Sequence, residues 1–346
     1  MRTAIWGAGS IGLVVGALIT KNGGQVDLVD AFQENVDKLN EYGATITGHM
    51  DVSVPVRALS PDHVEGVYDL IILLTKQTQN HLVLPQITNH LGPDSLVLTL
   101  QNGIPEEDLA AAVGRERVIG GTVGFGATFL LPGITNLTSP ARAMKTAFEI
   151  GELDGQITPR IQKVQAFLNL CGGTEIHRNL MGARWTKLLI NSVMSGMSAA
   201  LGATYGDILE DETAIRAAAH IADECVRVAK ASGVTLVPMI GATFDDFDLT
   251  CGGSMLHSLD KLHLIWDIHG ALKASMLQDL EKGRRTEIDY INGHVCQAGR
   301  KVRIATPFND MVVRLVKQSE EKGGVKSLED GSAFSPLFHM SKSTTL

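Results

Sequence analysis

Two periodicities divide the chain near residue 178. Before it, short apolar runs alternate with helical stripes. Thr3–Trp6, Gln25–Val29, Asp69–Thr75, Leu96–Leu100 and Val118–Gly121 predict strands. The run at Asp69–Thr75 is continuously apolar past its first residue, as expected of a parallel strand buried on both faces. Leu13–Lys21, Ala31–Tyr42 and Ile161–Leu170 predict helices. Pro132-Gly133 and Ser139-Pro140 punctuate Phe125–Lys145, which predicts antiparallel strands extending the sheet. Ala147–Gly151 and Thr174–Ile176 complete it. After Met181 strand patterns nearly vanish. Thr213–Ala231, Leu262–Leu280, Glu287–Lys301 and a segment from Thr306-Pro307 to about Glu321 predict helices. The plan is an α/β domain (1–178), an all-α domain (179–322) and a C-terminal extension (323–346). That extension is polar and Gly/Ser-rich, with an apolar patch at Phe334–Met340, and is expected to pack on the surface or against a neighbour.

One helix breaks the usual amphipathic rule. Arg184–Ser195 is apolar nearly all round, as buried helices are. Yet Lys187, Asn191 and Ser195 recur every fourth residue, on one stripe of an α-helix. An ammonium, an amide and a hydroxyl are costly to bury unless something polar meets them, and a small polar ligand is one candidate.

Candidate chemistry in the first domain begins at Gly7-Ala8-Gly9-Ser10-Ile11-Gly12, between the first strand and helix. Gly7 permits the tight turn, Gly9 lets backbone approach a pyrophosphate, and Gly12 lets helix and strand pack closely. Asp30 ends the second strand, where a carboxylate can accept hydrogen bonds from a ribose. It would repel the 2′-phosphate of NADP, and no Arg or Lys follows directly, so NAD(H) is favoured over NADP(H). Asp30 could also cap helix Ala31–Tyr42. Lys76, Asn102 and Gly126 follow strand ends, and ligands of open α/β sheets bind beyond such ends. Each also has an ordinary reading, as a solvated lysine or a turn residue. Thr286–Asp289 reads as a helix start, and Glu287 lies near an apolar face, where a carboxylate needs a partner; the ordinary reading is a plain helix-turn-helix with solvated charges.

Composition narrows the classes. Net charge is −8, and no basic run exceeds Lys282–Arg285, which makes nucleic acid a poor partner. No signal-peptide layout and no run of membrane-spanning length is visible. Cys171, Cys225, Cys251 and Cys296 form no CxxC and read as reduced and mostly buried. A cytoplasmic protein without a metal site or membrane contact is expected.

Together these pieces resemble the ketopantoate reductase (2-dehydropantoate 2-reductase) family from Met1 to about Lys322. The match rests on Gly7–Gly12, Thr75-Lys76, Gln101-Asn102-Gly103, Trp185-Thr186-Lys187 with Asn191, Ser275–Asp279 and Thr286–Gly293. The resemblance implies a Rossmann-like N-terminal domain and an all-α C-terminal domain like that of 6-phosphogluconate dehydrogenase. It also implies NAD(P)H-dependent reduction of a 2-oxo acid to a D-2-hydroxy acid in a cleft between them. Carried over, Lys187 matches the general acid, and Asn191 and Ser275 match substrate-binding positions. Asn102 matches a position serving cofactor and substrate, Lys76 and Gly126 positions beside the cofactor, and Glu287 one near its ribose. Lys187, Asn102 and Glu287 are thus the candidate catalytic residues. Homodimerisation through the helical domain is also implied.

Three departures bear on substrate and cofactor. Ser195 stands where pantoate-forming enzymes usually have Asn, Tyr205 where another substrate-contacting Asn is common, and Asp30 replaces the basic neighbourhood of NADP users. Asp30 and Thr306–Asp310 look closer to the family's NAD-dependent D-2-hydroxyacid dehydrogenases of the D-mandelate type. Three readings follow: such a dehydrogenase, a 2-dehydropantoate 2-reductase of pantothenate synthesis, or an NAD-binding sensor without catalysis.

Overall fold

A computed structural model describes residues 1–238, 241–250 and 254–341. The chain folds as two compact units, Met1–Ala183 and Arg184–Leu346.

The first unit runs β1 (Thr3–Trp6), α1 (Ser10–Lys21), β2 (Val26–Val29), α2 (Gln33–Tyr42), β3 (Ala44–Gly48), β4 (Val52–Val54), β5 (Arg57–Leu59) and β6 (Tyr68–Leu73). It continues through α3 (Asn80–Thr88), β7 (Leu91–Thr99), α4 (Glu106–Val113), β8 (Val118–Val123), β9 (Ala127–Leu131), β10 (Ile134–Leu137), β11 (Phe148–Glu152), α5 (Pro159–Leu168) and β12 (Thr174–Ile176). Among the described residues the main sheet has the order β12-β11-β8-β7-β6-β1-β2-β5. Neighbours from β5 to β8 are parallel; β11 runs antiparallel to β8. Both faces are covered. Ile5, Leu70, Ile72 and Leu98 enter one core, and Trp6, Ile71, Leu73 and Val97 the other. This two-sided burial is why the strands read as unbroken apolar runs.

The Phe125–Lys145 segment departs from expectation. Its strands β9 and β10 do pair antiparallel, but in a second sheet of order β4-β3-β10-β9 rather than as an extension of the first. The parallel pairing of β10 with β3 makes that sheet. Helix α1 packs against strands of both sheets, which buries every residue from Gly12 to Ile19. Helix α2 begins at Gln33, two residues later than expected.

The second unit contains helices and no strand among its described residues. Helix α6 (Leu180–Ile190) begins just ahead of it and runs into a π-helical turn at Asn191–Ser195. Then come α7 (Gly196–Leu201), α8 (Tyr205–Glu210), α9 (Glu212–Ala231), α10 (Met255–Trp266), α11 (Ser275–Glu281), α12 (Asn292–Val302), α13 (Pro307–Lys322) and α14 (Ser335–Ser341). The amphipathic α9 is central and packs against the π turn, α10, α12 and α13.

Two expected helices are shorter than their periodicity. Leu262–Leu280 breaks because the carbonyls of Gly270 and Leu272 turn to the backbone amides of Gly206 and Tyr205, at 2.8 and 3.0 Å. Glu287–Lys301 begins instead as a 3₁₀ turn, Ile288–Tyr290, and becomes α-helical only at Asn292. Thr286 is held outside it, its amide and hydroxyl both donating to Glu320 Oε1 at 2.7 and 2.6 Å.

In the C-terminal extension Phe334 is fully buried and stacks on Phe308, with Phe338 beside it. Residues 342–346 lie outside the described residues, as does the Met340 side chain. Cys171, Cys225 and Cys296 are free and buried, whereas Cys251 lies outside the described residues. Among the described residues no helix is long and apolar enough to cross a membrane.

Candidate active site

In the first unit, the carboxyl ends of β1, β2, β6 and β7 meet at the sheet's topological switch point. Gly7 N–H donates to Val29 O and Leu74 N–H to Trp6 O, both at 2.8 Å. Gly7 has φ +104°, and a Cβ there would stand 2.7 Å from Thr75 N. A Cβ on Gly12 would stand 2.0 Å from Gly7 O, so both positions exclude a side chain. A Cβ on Gly9 would meet nothing within 4 Å. Space therefore opens in front of the middle glycine, at the start of α1. That helix starts without a side-chain cap and without an acid in its first turn. Its first amides, at Ser10, Ile11 and Gly12, suit the pyrophosphate of a dinucleotide. The loop's own residues thus fit the group that the motif implies.

Asp30 continues this edge. Its Oδ1 accepts from Phe32 N–H at 2.9 Å and its Oδ2 from Asn35 Nδ2 at 3.2 Å. Phe32 lies before α2, so this is a local turn bond rather than the helix cap expected as an alternative. Burial raises the Asp30 pKa, against the lowering effect of these hydrogen bonds.

Asn35 escaped sequence reading. It is buried, and besides Asp30 it donates to Ala8 O at 3.0 Å and accepts from Gly133 N–H at 2.8 Å. One amide thus ties the glycine loop, the end of β2 and the β9–β10 hairpin together. The signal was an Asn on the apolar face of α2, alongside Val36 and Leu39.

The loops that carry Lys76 and Asn102 are joined by hydrogen bonds. Buried Gln77 donates through Nε2 to Asn102 O, and buried Gln101 donates to Thr75 O and Asn80 Oδ1, each at 2.8 Å. These amides brace the two loops, leaving Lys76 half-buried and Asn102 exposed. Gly126 lies between β8 and β9, its amide donating to Ser139 Oγ at 2.8 Å.

The second unit carries the polar stripe. Lys187, Asn191 and Ser195 are half-buried, whereas Leu188, Leu189, Val193 and Met194 are fully buried. The stripe is not purely α-helical, because the π turn falls between its second and third members. Ser195 Oγ lies 3.1 Å from Tyr205 Oη. The two departures from the pantoate pattern are therefore hydrogen-bonded to each other. Burial raises the Tyr205 pKa, with Ser195 opposing.

Ser275 is exposed in the first turn of α11, which packs on α7 and the π turn. Ala274 N–H anchors it, donating to Ser198 Oγ at 3.2 Å. Glu287 is buried, and its carbonyl accepts from Tyr290 and Ile291 N–H at 2.9 and 3.1 Å. Trp185 of α6 meets His294 of α12 edge to face at 5.8 Å, joining the stripe's helix to the segment after Glu287. Lys187, Asn191, Ser195, Ser275 and Glu287 thus belong to the second unit; the glycine loop, Asp30, Lys76, Asn102 and Gly126 belong to the first.

Comparison with known proteins agrees with this division. Residues 3–155 match the family model described as ketopantoate reductase PanE/ApbA, and residues 179–320 match its C-terminal model. A 2-dehydropantoate 2-reductase of Pyrococcus horikoshii is 28% identical over 326 residues, covering 94% of this chain and 99% of its own. The structure of a D-mandelate dehydrogenase with NADH and anilino(oxo)acetate is similar, with a TM-score of 0.80 and 27% identity, covering 93% of this chain and 99% of that one. A 2-dehydropantoate 2-reductase structure from Geobacter metallireducens GS-15 has a TM-score of 0.79 and 27% identity, covering 92% and 100%.

Proposed function

The chain belongs to the ketopantoate reductase family of oxidoreductases, and from that premise we propose that it reduces a bulky 2-oxo acid to a D-2-hydroxy acid, with NADH preferred. The observation that carries this reading is that Lys187 and Asn191 are half-buried beside the fully buried Leu188, Leu189, Val193 and Met194. A nicotinamide cofactor, when bound, supplies the hydride for the substrate's C2. The residues of this chain do the rest. Gly7–Gly12 and Asp30 hold the dinucleotide, with Lys76 and Gly126 beside it. Asn102 and Glu287 orient its nicotinamide and ribose. Lys187 Nζ donates a proton to the C2 oxygen as the carbonyl becomes a hydroxyl, and its charge stabilises that oxygen meanwhile. Asn191 and Ser275 hydrogen-bond the substrate carboxylate or a hydroxyl.

The Ser195–Tyr205 pair favours a bulky substituent. Each hydroxyl partners the other, and the Tyr205 ring presents an apolar surface to a neighbouring group. The relatives named 2-dehydropantoate 2-reductase support a second reading, with ketopantoate as substrate. The homodimer implied by the family draws support from Leu256, Leu264 and Ile268, apolar side chains exposed on and just after α10.

A panel of 2-oxo acids with NADH and NADPH, followed at the nicotinamide absorbance, tests the proposal. Preferred turnover of phenylglyoxylate or branched 2-oxo acids with NADH is expected. Turnover of ketopantoate far above these would establish the second reading. Tight NADH binding without turnover of any of them would turn the account toward a sensor.

A further inference from the structure

The π turn at Asn191–Ser195 has a support of its own. Gly196 N–H donates to Asn191 O, five residues back, and also to Val193 O. In an α-helix its acceptor would be Ser192 O. That carbonyl instead accepts from Asn292 Nδ2 at 3.0 Å. The same nitrogen donates to Asn309 Oδ1 at 3.0 Å, and Asn309 Nδ2 donates to Glu224 Oε2 at 2.8 Å. The Glu224 carboxyl also takes the amides of Phe308 and Asn309, both at 2.9 Å. Ser192, Asn292 and Asn309 are wholly buried, and Glu224 almost so.

The donors along these residues run in one direction, toward Glu224 at one end and Ser192 at the other. Asn309 donates through Nδ2 to the Glu224 carboxyl, beside the backbone amides of Phe308 and Asn309, and turns its oxygen toward Asn292. Asn292 presents its nitrogen to Asn309 Oδ1, and the same nitrogen reaches Ser192 O. The arrangement leaves Asn292 Oδ1 buried without a hydrogen-bond partner. A Cβ on Gly196 would stand 2.4 Å from that oxygen, so the glycine makes room for the amide. A buried unpaired acceptor calls for an explanation, and the donation to the π turn supplies one. Such turns concentrate at functional sites. Here the turn spans the interval from Asn191 to Ser195.

We propose that Asn292 is a positioning residue for the reduction: by holding Ser192 O it fixes the π turn and, through it, the aim of Asn191 and Ser195 at the substrate. This rests on the reading of those two residues as substrate contacts. Asn292→Leu keeps the shape and removes the donor. It is expected to lower kcat/KM for the preferred 2-oxo acid by about 10- to 100-fold, the scale of a misplacement of about 1 Å. NADH affinity, measured by fluorescence, should stay within about twofold, since the glycine loop lies in the other unit.

A cycle with Asn191→Ala separates positioning from general destabilisation. If Asn292 acts through the turn, the double variant loses less than the product of the single losses. Fully multiplicative losses, or a folded Asn292→Leu with wild-type kcat/KM, would overturn the proposal. Should Asn292→Leu fail to fold, Gly196→Ala decides. It keeps every polar group and crowds the Asn292 amide, so reduced kcat/KM with unchanged NADH binding supports the proposal and wild-type kcat/KM overturns it. An Asn191→Ala variant with wild-type kcat/KM would instead sink the reading of the substrate site, and the inference with it.

Discussion

His220 and Glu224 lie four residues apart on α9 and respond to pH in opposite senses. His220 stacks flat on Phe308, with ring centroids 4.3 Å apart and planes 7° apart, and has Phe338 beside it. Burial, and then the Arg216 and Arg227 guanidiniums, push its pKa down from 6.5 to about 4. The unfolded chain therefore binds the proton more readily than the folded one. This contribution to stability is full above pH 6.5 and is lost as pH falls through that window toward 4. A gap of this size corresponds to about 3 kcal/mol at most, and solvent screening of a half-buried ring brings it to about 1–2 kcal/mol. Burial pushes Glu224 the other way, up to about 8. Its contribution is full below about pH 4.5 and is lost as pH rises toward 8. His220→Phe keeps the stack and removes the titration. In urea unfolding at pH 7 and pH 4.5, the wild type should lose about 1–2 kcal/mol more than the variant on acidification. Equal losses would refute the assignment of the acid-side slope to His220.

Other consequences concern the site. Gly7→Ala places a Cβ against Thr75 N at positive φ; it should cost at least about 2 kcal/mol in urea unfolding and weaken NADH binding. Asp30→Asn removes the charge proposed to face the ribose; NADH affinity should drop by about 10-fold or more while discrimination against NADPH narrows, both by fluorescence titration. Tyr205→Phe removes the Ser195 partner. If the pair shapes the substituent pocket, the ranking of 2-oxo acids by kcat/KM should change while NADH affinity stays the same.

Much of this was legible because local chemistry carried it. Continuous apolar runs marked β1, β6 and β8, the glycine spacing marked the start of α1, and Pro307 marked the start of α13. Long-range pairings were not legible. The β9–β10 segment reads as a hairpin locally, but only its parallel match with β3, far back in the chain, decides which sheet it joins. The helix expected over Leu262–Leu280 stops because Gly270 and Leu272 surrender carbonyls to the start of α8. Along Lys187–Ser195 the every-fourth-residue spacing predicts one α-helical stripe, and nothing local announces the π turn that interrupts it. Its supporting donor comes from Asn292, 100 positions away. Ser195 and Tyr205 could each be singled out as departures, but their hydrogen bond is a product of folding.

The most direct test of the central claim is the turnover of Lys187→Ala with NADH and the preferred 2-oxo acid, alongside its NADH affinity. Loss of the proton donor should lower kcat by at least about 100-fold while NADH still binds as in the wild type. A variant that binds NADH and turns over at near the wild-type rate would contradict the account.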